Sequence, residues 1–284
     1  MHTISCVIPW IAVKNDGVTV KCLAAGSPQI VTAHNTTEKD SHMSRLIPLA
    51  LGLILFATSC IHTTPPPTTV QWERYHSAVK DAEVVTPAEI SRNLVAITPW
   101  NPDLIRNDEG AIRVVTWTDW NGYDHKEGQS ITLSRDVWVT VAPHVQSFCR
   151  ECGQTGVSLA LRLRQRLGLP PDDTKTRFVE FWASPDDLFR PAPDPEVTDH
   201  EAELSFPRSS RFVTVSEDHR QWIEALQKES YGKKGYPWTR LGYTYDWGGK
   251  TEVGESEFVI SKGAEVMVHS VARTEEYCNK AGDR

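Results

Sequence analysis

A chain of 284 residues, 39% of them hydrophobic, is long enough for one large domain or two small ones and apolar enough for an ordinary globular core. Lys and Arg number 30 against 37 Asp and Glu, a formal net charge of −7, which excludes the broad basic footprint that electrostatic binding to nucleic acid requires. Six cysteines, at positions 6, 22, 60, 149, 152 and 278, take their meaning from the compartment the mature protein occupies.

Residues 1–42 show no sustained helical or alternating period, and Cys6 and Cys22 have no evident partners there. The expectation is an upstream extension, with translation starting at Met43. From Met43 the chain reads MSRLIPLALGLILFATSC: one positive charge at Arg45, then an apolar run from Leu46 to Ala57. That run is too short to cross a hydrocarbon layer about 30 Å thick, and it has the length of a signal-peptide core. Ala57, Thr58, Ser59 and Cys60 resemble the lipobox of bacterial lipoprotein precursors. The resemblance implies a signal peptide over 43–59, lipid on the Cys60 thiol, and Cys60 as first residue of the mature chain. Ile61 in place of an aspartate implies retention at the outer membrane, facing the periplasm. The Pro/Thr run that follows Cys60 cannot continue a helix, so residues 60–84 are expected to be an anchored tether.

The globular part is expected over 85–278, with 279–284 as a tail. Thr86, Pro87 and Glu89 read as the capped start of a helix running to the break at Pro99. Strands are expected over 111–118, 136–142 and 177–182, which are rich in β-branched and aromatic residues. A helix over 156–168 stops at Gly168, and a second starts at the N-cap Ser216 with acids in its first turn. Residues 183–207 lack periodicity and read as an ordered loop. Its acids, with Asp194, Glu196, Asp199, Glu201 and Glu203 around His200, read as solvated charge, and no metal is expected there. The closing EFVISKGAEVMVHSV reads as a β-hairpin turning at Lys262 and Gly263. The fold class expected is α+β: a single mixed domain with a mainly antiparallel sheet.

Cys149 and Cys152 stand at C-x-x-C spacing. A structural disulfide is expected, either within the pair or from one of them to Cys278; a redox dithiol is the alternative. Trp117, Trp120 and Tyr123 cluster with Asp119 and Asp124 in TWTDWNGYDH, where aromatic faces and acids suit a sugar ring. Trp238, Arg240 and Tyr243 form a second aromatic group, in YPWTRLGYTYDWGG.

The run GESEFVISKGAEVMVHSV resembles the Glu-x-Glu strand of ADP-ribosyltransferase toxins, with Glu255 and Glu257 in the two glutamate positions. The resemblance implies that Glu257 contacts the nicotinamide ribose and that Glu255 helps to position the acceptor. No Ser-Thr-Ser strand is found, and no early NAD-binding arginine is identified.

The leading expectation is an envelope lipoprotein, held to the membrane by lipid, whose domain binds a glycan or an envelope protein without catalysis and without a cofactor. Its binding residues are Trp117, Trp120, Tyr123, Trp238, Arg240 and Tyr243. The alternative is an enzyme, acting on NAD through Glu255 and Glu257 or on a glycoside through Asp119 and Asp124.

Overall fold

The computed structural model describes residues 11–14, 17–20, 66–152, 157–208 and 214–280. The signal segment and Cys60 lie outside these. The chain forms two units, residues 1–62 and 63–284. In the first, Ile11–Lys14 (β1) and Gly17–Val20 (β2) pair antiparallel.

The second unit is an α+β domain built on an eight-stranded antiparallel sheet. Its strands are β3 (Ile112–Thr118), β4 (Ser130–Thr132), β5 (Val137–Val141), β6 (Arg177–Ala183), β7 (Leu188–Phe189), β8 (Tyr243–Tyr245), β9 (Val253–Ile260) and β10 (Glu265–Arg273). Their order across the sheet is β4-β10-β6-β3-β5-β9-β7, and β8 shares the outer edge of β9 with β7. The helices are α1 (Thr69–Glu83), α2 (His144–Cys152), α3 (Leu159–Arg166), α4 (Glu217–Ser230) and α5 (Thr274–Asn279). Among the described residues no helix is long and apolar enough to cross a membrane.

The central strands β3 and β6 are buried on both faces, so they read as nearly continuous apolar runs. One face collects Ile112, Val114, Val139, Phe181, Phe258 and Val268 into the largest apolar core. The other carries Val115, Trp117 and Phe178, covered by Val145 and Cys149 of α2, Leu163 of α3 and Tyr277 of α5. Cys149 and Cys278 form a disulfide that ties α2 to α5. Cys152 is buried outside that bond.

Three expectations are corrected. The helix expected after Thr86 is a single 3-10 turn over Pro87–Glu89. Beyond it the backbone extends, because Leu94 and Ile97 donate their N–H groups to the carbonyls of His200 and Val197. The tether expected over 60–84 is helical from Thr69 onward, where Thr68 and Gln71 form a reciprocal capping box. Residues 274–279, for which no element is expected, form α5.

The expected β9–β10 hairpin is a tight connection between strands that do not pair. Ser261–Ala264 joins them, Gly263 adopting φ 91°, yet β5, β3 and β6 stand between them in the sheet. At roughly 4.8 Å per strand a flat sheet would set them about 19 Å apart, so the sheet curls to let so short a connection close.

Candidate functional site

Residues directly opposite in an antiparallel pair share a face, and the registers place one row across the second face of the sheet. Glu257 of β9 stands opposite Thr140 of β5, Thr140 opposite Val115 of β3, Val115 opposite Glu180 of β6, and Glu180 opposite Ser270 of β10. Two carboxyls therefore lie on one face, three strands apart. Their surroundings differ.

Glu180 is satisfied. It accepts a 2.7 Å hydrogen bond from the Ser270 hydroxyl and lies 3.8 Å from the Arg113 guanidinium. Glu257 has no hydrogen bond or ion pair to its carboxyl among the described residues, and only its backbone N–H is engaged, donating to Gly242 at 2.9 Å. Its side chain is half-buried and lies among the residues that line a cavity open to solvent. Burial alone pushes its pKa up to about 8, because the charged form loses water and gains nothing in exchange.

The cavity is a cleft of about 510 Å³, within the range of small-molecule sites. β3 contributes Val115 and Trp117, β5 contributes Trp138 and Thr140, β8 contributes Tyr243 and Tyr245, and the loops add Trp120, Tyr123, Tyr236 and Trp238. The polar ends of several rings are engaged elsewhere. Trp117 Nε1 donates to Thr274 Oγ1 at 2.9 Å, Trp238 Nε1 to the Pro191 carbonyl at 3.0 Å, and the Tyr243 hydroxyl to the Glu89 carbonyl at 2.8 Å. What these side chains add to the wall is therefore ring surface. Burial pushes the Tyr243 phenol up to about 12, so it stays neutral.

Two of the rings are exposed, Trp120 at 46% and Tyr236 at 48%. Arg135 lies over Trp120, 5.6 Å from the ring centroid, and Trp120 meets Tyr123 edge to face at 4.5 Å. The outer part of the cavity is thus aromatic and cationic, and the deeper part carries one neutral acid.

Six of the residues singled out by sequence line this one cavity: Trp117, Trp120, Tyr123, Trp238, Tyr243 and Glu257. Four do not. Asp119 is exposed, within 3.4 Å of the Thr174 hydroxyl, and Asp124 pairs with Arg177 beside β6. Neither faces the cavity as an acid and base pair would. Arg240 turns away, donating to the Glu83 carbonyl at 2.9 Å and lying over Tyr231. Glu255 accepts a 2.7 Å bond from Arg166 and is not among the lining residues.

Trp138, Thr140 and Arg135 are also among the lining residues and carry no sequence signal of their own. β-Branched and aromatic residues are what any strand uses, and only the register sets Thr140 opposite Glu257.

The acidic loop folds around Arg190, which is fully buried and donates to the Val95 and Asp199 carbonyls. Burial and a shared hydrogen bond with Asp194 push Glu203 up to about 7. Among the described residues no group of three or more His, Cys, Asp or Glu side chains is arranged to hold a metal ion.

No protein-family model, curated protein or solved structure matches the chain. The class defined by fold and site is an antiparallel α+β domain with an aromatic cavity around a single proton-carrying carboxyl.

Proposed function

We propose that the domain is an enzyme that cleaves NAD at the bond between nicotinamide and ribose, with Glu257 as its catalytic residue. The observation that carries this reading is Glu257 itself: an unpartnered carboxyl inside a cavity walled by aromatic rings. Strongly perturbed acids in clefts are candidates for catalysis. Its position in a Glu-x-Glu strand that resembles the ADP-ribosyltransferase toxins gives the substrate class.

The chemistry suits the residues. A nicotinamidium ring is flat and cationic, and tryptophan faces attract flat cations. It needs no proton to depart, since it leaves with the C1′–N1 bonding pair as neutral nicotinamide. Positive charge then develops on the ribosyl carbon, where a carboxylate stabilises it most. Burial pushes the Glu257 carboxyl up to about 8, so it holds its proton at pH 7. A bound pyridinium beside it favours ionisation, so the carboxylate forms where the substrate is. Arg135, outside at the Trp120 ring, suits the diphosphate.

The test is nicotinamide release from NAD by the purified full chain. The expected result is turnover that Glu257→Gln reduces by roughly a hundredfold or more. Absence of turnover in the wild type, with binding to peptidoglycan fragments, would instead favour the non-catalytic glycan reading. That reading keeps one specific support, the same ring surfaces.

The proposal includes the address read from the sequence: lipid on Cys60 holds the domain at the cell envelope, at the outer membrane on the periplasmic side. Incorporation of labelled palmitate that persists in Cys60→Ala would overturn this part without touching the first.

A further inference from the structure

The lining of the cleft includes two half-exposed rings that come from distant parts of the chain. Trp120 belongs to the turn after β3, and Tyr236 to the turn after α4. Each is set by a glycine that leaves no room for a side chain. A Cβ on Gly122 would fall 2.0 Å from the Trp120 ring, and one on Gly235 would fall 1.9 Å from the Ser230 carbonyl oxygen. Tyr236 donates its N–H to that same carbonyl at 2.7 Å, and Trp120 donates its own to the Thr118 hydroxyl at 3.0 Å. Tight backbone turns thus present both rings to solvent, where each forgoes the stabilisation that burial brings.

Rings held in place and left open suit a further flat ring, which stacks on them without first having to order them. The registers say how far this outer part lies from Glu257. Glu257 shares a row with Val115, and Thr118 ends β3 three residues further on, two strands away. Three residues of about 3.3 Å and two strand spacings of about 4.8 Å set them roughly 14 Å apart. NAD carries a flat ring at each end and its diphosphate between them. With nicotinamide at Glu257, the other ring, adenine, reaches the mouth.

We propose that Trp120 and Tyr236 form an outer subsite for the adenine of NAD, and so make the dinucleotide, rather than its nicotinamide mononucleotide half, the preferred substrate. The inference rests on the NAD reading above. Charge at the mouth agrees with this division. Arg135 is exposed beside Trp120, whereas Lys175, the other cation of the lining, is held by Asp173 at 3.0 Å. The acid next to Arg135, Asp136, accepts from the Lys262 N–H at 2.8 Å and from Trp222 Nε1 at 3.0 Å. Asp119, exposed next to Trp120, repels a phosphate but leaves an uncharged base alone, which puts adenine on the ring and the diphosphate at Arg135.

The experiment measures nicotinamide release by the full chain from NAD and from nicotinamide mononucleotide, side by side. The wild type should prefer NAD in kcat/KM. Replacing both rings, Trp120→Ala with Tyr236→Ala, should lower that preference by roughly tenfold or more, the worth of stacking one base, and the loss should fall on KM for NAD more than on kcat. AMP should compete with NAD in the wild type and at least tenfold more weakly in the double variant. A loss of folded protein lowers both substrates alike and leaves their ratio untouched. Each single variant should keep part of the preference, and a preference that one substitution leaves intact would remove that ring from the subsite. Release from NAD with no preference over the mononucleotide, or with the full preference kept in the double variant, would overturn the outer subsite while leaving NAD cleavage standing. No nicotinamide from either substrate would remove both this inference and the reading beneath it.

Discussion

Glu257 couples the proposed chemistry to stability, because a carboxyl that loses water without gaining a partner is an acid that folding makes weaker. Its ordinary value is 4.5 and its folded value about 8. Below about pH 4.5 it is protonated in both states and contributes no pH dependence. Between the two values the unfolded chain ionises while the folded one holds its proton, so this contribution falls as pH rises. Above about 8 the folded state carries the full penalty, on the order of a few kcal/mol. Glu257→Gln should therefore match the wild type in thermal melts near pH 4, become progressively more stable across pH 5 to 8, and hold a constant advantage beyond. Glu203, pushed up to about 7, acts in the same direction. It is present in both proteins and cancels in their difference. An advantage that does not grow with pH would mean that Glu257 has a partner in solution. The same ionisation should appear in catalysis as an acid limb near pH 8 in kcat/KM, which reports the free enzyme, and at lower pH in kcat.

At the scale of elements, the cavity depends on how α3 is held against β8 and β9. Gly168, with φ +67°, turns the chain out of α3 in a backbone conformation that a side chain would strain. The Thr244 hydroxyl donates to the Arg166 carbonyl at 2.7 Å and accepts from the Glu255 N–H at 2.8 Å. Arg166 closes the arrangement on Glu255. Removing one partner of a buried ion pair leaves the other charge uncompensated, so Arg166→Met should destabilise the domain by about 3 kcal/mol in chemical denaturation. Adding Glu255→Gln should recover part of that loss, and a double variant no better than the single would mean the two side chains do not interact. Elements of this kind were only partly legible in the sequence. The α4 cap at Ser216 and strands β3, β5 and β6 follow from local pattern. Thr86 and Glu89 do form their capping box, but the helix does not propagate, since Leu94 and Ile97 find backbone partners in the loop at 197–200. The hairpin expectation failed for the same reason: local pattern places the turn at Gly263, while strand pairing is decided by distant segments. The two aromatic runs were legible as composition, but their meeting around Glu257 depends on the register of five strands.

At the scale of the whole domain, the tether expected over 60–84 turns out to contain a part of the core. α1 buries Tyr75, Ala78, Val79 and Ala82 against Tyr245 and Trp247. The Tyr75 hydroxyl donates to the Gly235 carbonyl at 2.9 Å, and the Tyr245 hydroxyl to Asp81 at 2.8 Å. Tyr245 also lines the cavity, one strand away from Glu257, so the helix supports the site it does not touch. Burial of one tyrosine, one valine and two alanines contributes roughly 5 kcal/mol at most, against a total of about 5 to 15 for a domain. A chain beginning at residue 85 should therefore melt below one beginning at residue 66, by up to roughly 10 to 20 °C, because about 2 to 4 °C follow each kcal/mol in domains of this size. It should also expose Tyr245 and Trp247 and bind a hydrophobic dye. Nicotinamide release should fall with the melting temperature and recover when the helix is supplied in the longer chain. If the shorter chain melts at the same temperature and turns over NAD equally well, α1 is only the end of the tether after all.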